Sequence, residues 1–217
     1  MLRPEAAWLG EMISTFPSTA FPLLDLGSST GVYRTDDQAF INSEIFAPLA
    51  RGGHPVIHAD LKAAAGIDVV IDFTRAQDRQ KLAKTTPLGS VLCANLLEHL
   101  SVAPEEAARA LLELCRPGGY LLVTVPKTFR YHPDPIDNLY RPSADELANL
   151  FGTRVTVLQR ANVRDTLQIV HDIQRRGLLR YVASALMPWR MPRVWWEKLA
   201  YSLRRIEVAC VYLQKVS

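Results

Sequence analysis

Five short apolar runs set the strongest limit on what this chain can fold into. They are "PLLDLG" (22–27), "PVIHAD" (55–60), "DVVIDF" (68–73), "VLCANL" (91–96) and "YLLVTVP" (120–126). Each is continuous rather than alternating, so a strand built from it would be apolar on both faces. Helical spacing separates most of them, and a turn at Gly66 separates the second from the third. The pattern predicts helices over Gln38–Ala50, stopped by Gly52-Gly53, over Ala76–Lys84, and over Glu105–Cys115, which turns alanine and leucine inward. Another helix, over 4–15, precedes the first run, with Ala6, Leu9 and Ile13 on one face. Past the fifth run come a polar loop, a helix over Ser143–Leu150 with Ser143 and Glu146 at capping-box spacing, and two more strands, "TRVTVLQR" and "RIEVACVYLQ". Strands that alternate with helices and are apolar on both faces imply an α/β fold: a mostly parallel, doubly wound sheet of seven strands. The 217 residues suit a single domain over 1–217 with its core in 20–160. In such sheets ligands bind outside the carboxyl ends of the strands.

Charge and cysteine usage narrow the function classes. A net charge of +3 gives no global nucleic-acid signal. Cys93, Cys115 and Cys210 stand singly inside apolar runs, which reads as reduced core thiols in a cytoplasmic protein. The first residues, "MLRPEAAWLGEM", lack the apolar stretch of a signal peptide, and no apolar run reaches membrane-spanning length.

The loop after the first strand is the first candidate site. Gly27-Ser28-Ser29-Thr30-Gly31 is not a Walker loop, which needs GxxxxGK[ST]. It departs from a dinucleotide fingerprint at Ser29, and Tyr33 would crowd a pyrophosphate. A nucleoside cofactor without phosphate asks less: a tight turn at Gly27, a close approach at Gly31, and backbone N–H groups aimed at a carboxylate. Asp60 ends the second strand, where an acid accepts from both ribose hydroxyls. Asp72 ends the third, placed to accept from an adenine amino group while Phe73 lies on the ring. Singly, each of Asp25, Asp60 and Asp72 reads equally as a strand-end turn former; three in succession beside a glycine turn favour the ligand.

These residues resemble the class I S-adenosylmethionine-dependent methyltransferases. The family's acidic-x-Gly-x-Gly-x-Gly loop is matched by Asp25 to Gly31 except at Ser29. The resemblance continues through Asp60, "DVVIDFT", "VLCANLLEHL" with its Leu-Glu-His ending, and the "RPGGYLLVTVP" turn and strand, covering roughly residues 20–150. It implies a Rossmann-like methyltransferase fold whose last strand is inserted antiparallel. It implies S-adenosylmethionine as cofactor, with Asp25 near its ammonium, Gly27 to Gly31 around its methionine part, and Asn95 and Leu96 facing the sulfonium.

The polar loop "KTFRYHPDPIDNLYRPS" follows the fifth strand at the ligand end of the sheet and is the expected acceptor site. His132 is the candidate base, oriented by Asp134 or Asp137, with a surface loop of turn formers as the bland alternative. No recognised ligand spacing points to a metal, and His99 is expected to order the turn after the fourth strand. The acceptor is expected to be a hydroxyl or amine of a small molecule, sugar or lipid, not a nucleic acid. A non-catalytic module that keeps the fold and binds a partner or membrane is the alternative. Residues 175–205 carry eight Arg or Lys against one acid, Glu197, together with Trp189, Trp195 and Trp196. That composition suits a helix packed before the last strand, a peripheral membrane surface, or a homodimer face.

Overall fold

Leu23–Leu26, from the first apolar run, forms the central strand β1, buried on both faces. It pairs in parallel with β2 (Val56–Asp60) on one side and β4 (Ser90–Ala94) on the other. Outside β2 lies β3 (Val69–Val70), and outside β4 lies β5 (Tyr120–Thr128), both parallel to their neighbours. The last strand, β7 (Arg205–Lys215), runs antiparallel between β5 and the outermost β6 (Val155–Leu167). The strand order is β3-β2-β1-β4-β5-β7-β6, the mostly parallel seven-stranded sheet with an antiparallel last strand that was expected. The computed structural model describes residues 1–85, 88–132, 135–167 and 204–216. Apart from Arg204 and Arg205, the basic, Trp-rich 175–205 segment lies outside the described residues.

Side chains alternate across the sheet into two apolar layers. Leu24, Cys93, Leu121 and Val123 pack toward α4 (Ala76–Thr85), α5 (Pro104–Leu114) and α6 (Ala144–Asn149). Leu23, Leu92, Leu122 and Cys210 pack on the other face with Leu9 and Ile13 of α1 (Arg3–Ser14) and with Ile45. Because both faces are covered, the strands read as unbroken apolar runs. Ser143 and Glu146 form the expected capping box at α6. All three cysteines are buried free thiols. Among the described residues, no helix is long and apolar enough to cross a membrane.

Three elements differ from the sequence pattern. The helix expected to begin at Gln38 begins at Gly31, directly after the glycine loop. It is interrupted at Gln38 (φ −130°, ψ 59°) and contains two wide turns, Tyr33–Asp37 and Asn42–Phe46, around α2 (Ala39–Ile41) and before α3 (Ala47–Arg51). Strand β3 keeps only two paired residues, because Asp72 turns the chain by accepting the Thr74 N–H and hydroxyl. Strand β6 runs on to Leu167, since β7 beside it offers a long partner and absorbs two register shifts.

The N-terminal helix is tied to the sheet by a buried carboxylate that the pattern did not single out. Glu5 accepts from Leu2 N–H (2.9 Å), the Thr124 hydroxyl (2.6 Å) and the Asn95 side-chain amide (2.7 Å). Glu5→Gln places an NH₂ against one of these donors. It should cost about 1 to 2 kcal/mol, the penalty of a mismatched buried polar group, measured by urea unfolding.

Candidate functional site

The strand order reverses between β1 and β4, so the crevice of this sheet opens at their carboxyl ends, near Gly27 and Asn95. Gly27 leaves β1 with φ +73°, and a Cβ there would sit 3.0 Å from both methyl carbons of Leu96. The missing side chain lets Leu96 lie across the loop. Ser29, at the position where a glycine was wanted, has φ 57°. A serine in that left-handed region costs roughly 1–2 kcal/mol. Its N–H donates to Asp60 Oδ2 at 3.0 Å, which offsets the cost. The second oxygen of Asp60 accepts the Lys62 N–H, also at 3.0 Å. The carboxylate thus clamps the loop after β1 to the loop after β2. Each oxygen has a second lone pair for a further donor.

The rest of the loop is closed on itself. Gly27 and Ser28 N–H both donate to Ala59 O, and Gly31 N–H donates to Ala65 O at 2.8 Å. Backbone groups expected to meet a ligand carboxylate are therefore satisfied within the protein. Gly66 (φ +84°) lies against Gly31: a Cβ on it would come within 2.7 Å of the Gly31 Cα. Arg34 completes the closure. Its buried guanidinium donates to Ser28 O (2.9 Å), Ser29 O (2.6 Å) and Gly66 O (2.6 Å). Burial lowers its pKa, opposed by Asp25, Asp68 and Asp60 nearby.

The other expected cofactor contacts are placed as follows. Asp25 is buried, and its Oδ2 lies 2.8 Å from Nδ1 of His58, its register partner on β2. Asp72 accepts from Thr74 and pairs with Arg75 at 3.0 Å, the arrangement of a turn former. Phe73 follows Ile71 into the core, so its ring packs inside the protein rather than over the crevice. Asn95 has φ 51°, and its side chain turns to Glu5. Leu96 does reach the crevice, at Gly27.

The acceptor loop folds onto the turn after β4. Asn138 binds the carbonyls of Leu97 and Leu100 through its side chain and that of Glu98 through its N–H. Asp137 is the knot of the loop, accepting from His132 N–H, Leu139 N–H and the Arg141 guanidinium. Burial acts to raise its pKa, but these donors outweigh it and hold the carboxyl down at about 2. His132 Nδ1 lies 3.0 Å from Arg130 O and 3.2 Å from Asp137 Oδ2, which leaves Nε2 unengaged by either partner. Burial and the neighbouring His99 lower the His132 pKa. Asp134 lies outside the described residues.

Two further groups belong to this corner. Glu98 is fully buried and neither of its oxygens has a hydrogen-bond partner; burial pushes its carboxyl up to about 8. His99 binds Ile136 O through Nδ1 (2.6 Å) and meets His132 edge to face, 5.0 Å between ring centres. Beside them Leu100, Val102, Pro104, Ile136, Leu139 and Tyr140 line an open groove of about 500 Å³, within the size range of small-ligand pockets. A second cavity, near Phe21 and His54, lies before β1 and β2, at the opposite ends of the strands.

Sequence reasoning missed Arg34, His58, Glu5 and Glu98. The pair Asp25 and His58 had a signal, since polar residues inside two apolar strands must meet something. Arg34 had none, because nothing local tells a buried helix arginine from an exposed one.

No protein-family model and no curated protein matches the sequence. Solved structures do match the fold. A candidate methyltransferase of Bacillus halodurans C-125 aligns with 97% of this chain and 99% of its own at TM-score 0.55 and 13% identity. A candidate sarcosine dimethylglycine methyltransferase of Galdieria sulphuraria aligns at 0.54 and 13%, over 97% of this chain and 85% of its own. An S-adenosylmethionine-dependent methyltransferase of Anabaena variabilis aligns at 0.54 and 11%, over 95% and 82%. With this strand order and these neighbours, the chain has the fold of the class I, Rossmann-like S-adenosylmethionine-dependent methyltransferases.

Proposed function

We propose that this protein is an enzyme that transfers a methyl group from S-adenosylmethionine to a hydroxyl or amine of a small-molecule, sugar or lipid acceptor, in a reducing, cytoplasmic setting. The observation that carries the reading is Asp60. It stands at the carboxyl end of β2, partly exposed, gripping the loop after β1 while keeping lone pairs for two further donors. That donor set fits the two ribose hydroxyls of a nucleoside, and a carboxylate there disfavours a 2′-phosphate. When bound, S-adenosylmethionine supplies a methyl group activated by a positive sulfur.

The chain's residues have the remaining tasks. Asp60 binds the ribose and Leu96 narrows the crevice over Gly27. The groove beside Leu100 and Tyr140 seats the acceptor's apolar part. His132, with Nδ1 fixed by Arg130 O, can hold the acceptor's proton at Nε2. Asp137 positions that ring and is too acidic to serve as the base itself.

A non-catalytic module is the second reading, favoured by the internally satisfied N–H groups of Gly27, Ser28, Ser29 and Gly31. Titration calorimetry with S-adenosylmethionine separates the two readings. Asp60→Ala should weaken binding by about 1.5 to 3 kcal/mol, the range for hydrogen bonds to a charged group. Wild-type affinity in that variant would remove the ribose assignment, and no binding by the wild type would remove the enzyme.

A further inference from the structure

We propose that Glu98, His99 and His132 form a binding site for one divalent first-row cation with a preference for imidazole nitrogen, as Zn²⁺ has. One ligand atom from each residue lies within 4.8 Å of the other two, and Glu98 Oε1 stands 3.7 Å from His99 Nε2. Three features make this more than a coincidence of polar groups. The Glu98 carboxylate is fully buried with no donor on either oxygen, which is costly unless a cation or proton meets it. Both imidazoles have Nδ1 at a backbone carbonyl, Ile136 O for His99 and Arg130 O for His132. Ligating histidines are commonly fixed this way, with the other nitrogen's lone pair aimed at the metal. Arg141, whose charge favours the ionised form of Glu98, spends its hydrogen bond on Asp137 at 2.6 Å, so no guanidinium donor meets the Glu98 oxygens.

Bonds of about 2.1 Å would draw the three atoms to roughly 3.4 Å apart in a tetrahedral site. A small adjustment achieves this, since His132 sits on the loop after β5 and Glu98 and His99 are consecutive residues of a one-turn helix, Leu97–His99. Three protein ligands leave a coordination position open, the usual arrangement of a catalytic rather than a structural zinc. The groove lies beside it, since its lining residue Ile136 holds His99 through its carbonyl. Resting on the transferase reading, the cation would bind the acceptor's oxygen and favour release of its proton to solvent. His132 would then act as a ligand, and the base would be unnecessary.

The test uses Co²⁺ and Zn²⁺ as the probes, on metal-stripped full-length protein without cofactor. One equivalent of Co²⁺ should bind, with the visible absorption of a low-coordinate complex, and Zn²⁺ should displace it. His132→Ala and Glu98→Gln should each weaken Co²⁺ binding at least tenfold. Glu98→Gln keeps the size of a buried side chain whose oxygens make no hydrogen bond, so its metal-free form should melt close to wild type. No bound Co²⁺ or Zn²⁺ in the wild type, or unchanged affinity in variants that melt normally, overturns the site. S-adenosylmethionine calorimetry on the same sample keeps the two ideas apart. Cofactor binding without metal removes only the site; metal binding without cofactor supports the site and removes only the transferase.

Discussion

Removing the His132 imidazole, as in His132→Ala, is expected to cut methyl transfer about a hundredfold to ten-thousandfold, the usual contribution of a positioned base. Affinity for S-adenosylmethionine should hardly change, because Asp60, the proposed ribose acceptor, ends β2 and Arg34 lies in the helix after β1, both away from the loop after β5. The structure gives the ring a fixed orientation. Arg130 O takes Nδ1, Asp137 binds the backbone beneath it, and the rings of Phe129 and His99 contact it edge-on. The effect should therefore fall on turnover rather than on cofactor binding. Release of S-adenosylhomocysteine in the presence of an acceptor is the readout. A variant with wild-type turnover would take His132 out of the chemistry and leave positioning alone as the catalytic device. If the cation site is occupied, the same loss is expected with an added signature: activity that chelation abolishes in the wild type.

The largest effect on the fold is expected at Arg34. Arg34→Met keeps length and apolar volume but leaves the carbonyls of Ser28, Ser29 and Gly66 without their charged donor. Hydrogen bonds to charged groups are worth about 1.5–3 kcal/mol each, and partial rehydration recovers some of that. A net loss of about 3 kcal/mol follows, which lowers the melting temperature of a chain this size by roughly 6 to 12 °C. Cofactor binding should weaken with it, since the loop that Asp60 grips is the loop Arg34 closes. Arg34→Lys should not rescue, because an ammonium cannot span three carbonyls in the plane of a guanidinium. Scanning calorimetry of the three proteins decides the point.

The sheet was legible because strands buried on both faces leave an unmistakable apolar run, and because Gly27, Asp60 and Asp72 close the first three runs at their ligand ends. The strand-end position of Asp60 was legible for the same reason. Phe73 was not: two-residue alternation from Ile71 already sends its ring into the core, and strand-end position alone hid that. Asn95 looked like a crevice residue until its partner, Glu5, some ninety residues earlier, was in view. Long-range pairs of this kind carry no local period. Glu98 was invisible for a different reason: a glutamate in a short polar turn reads as exposed, and only the loop from Ile136 to Tyr140 folding over it makes it buried.

The position of β7 between β5 and β6 has a consequence for how the protein is made. A chain emerging from the ribosome completes β5 at Thr128 and β6 at Leu167, yet neither can pair with the other in the final arrangement. Both wait for Arg205–Lys215, which supplies the hydrogen bonds along one edge of each. Until then β5 presents a long apolar edge, the kind of surface on which nascent chains associate wrongly. Synthesis proceeds at about 5–20 residues per second, so that edge stays open for several seconds. A helper that holds the nascent chain, or faster translation of residues 129–204, should raise the soluble yield.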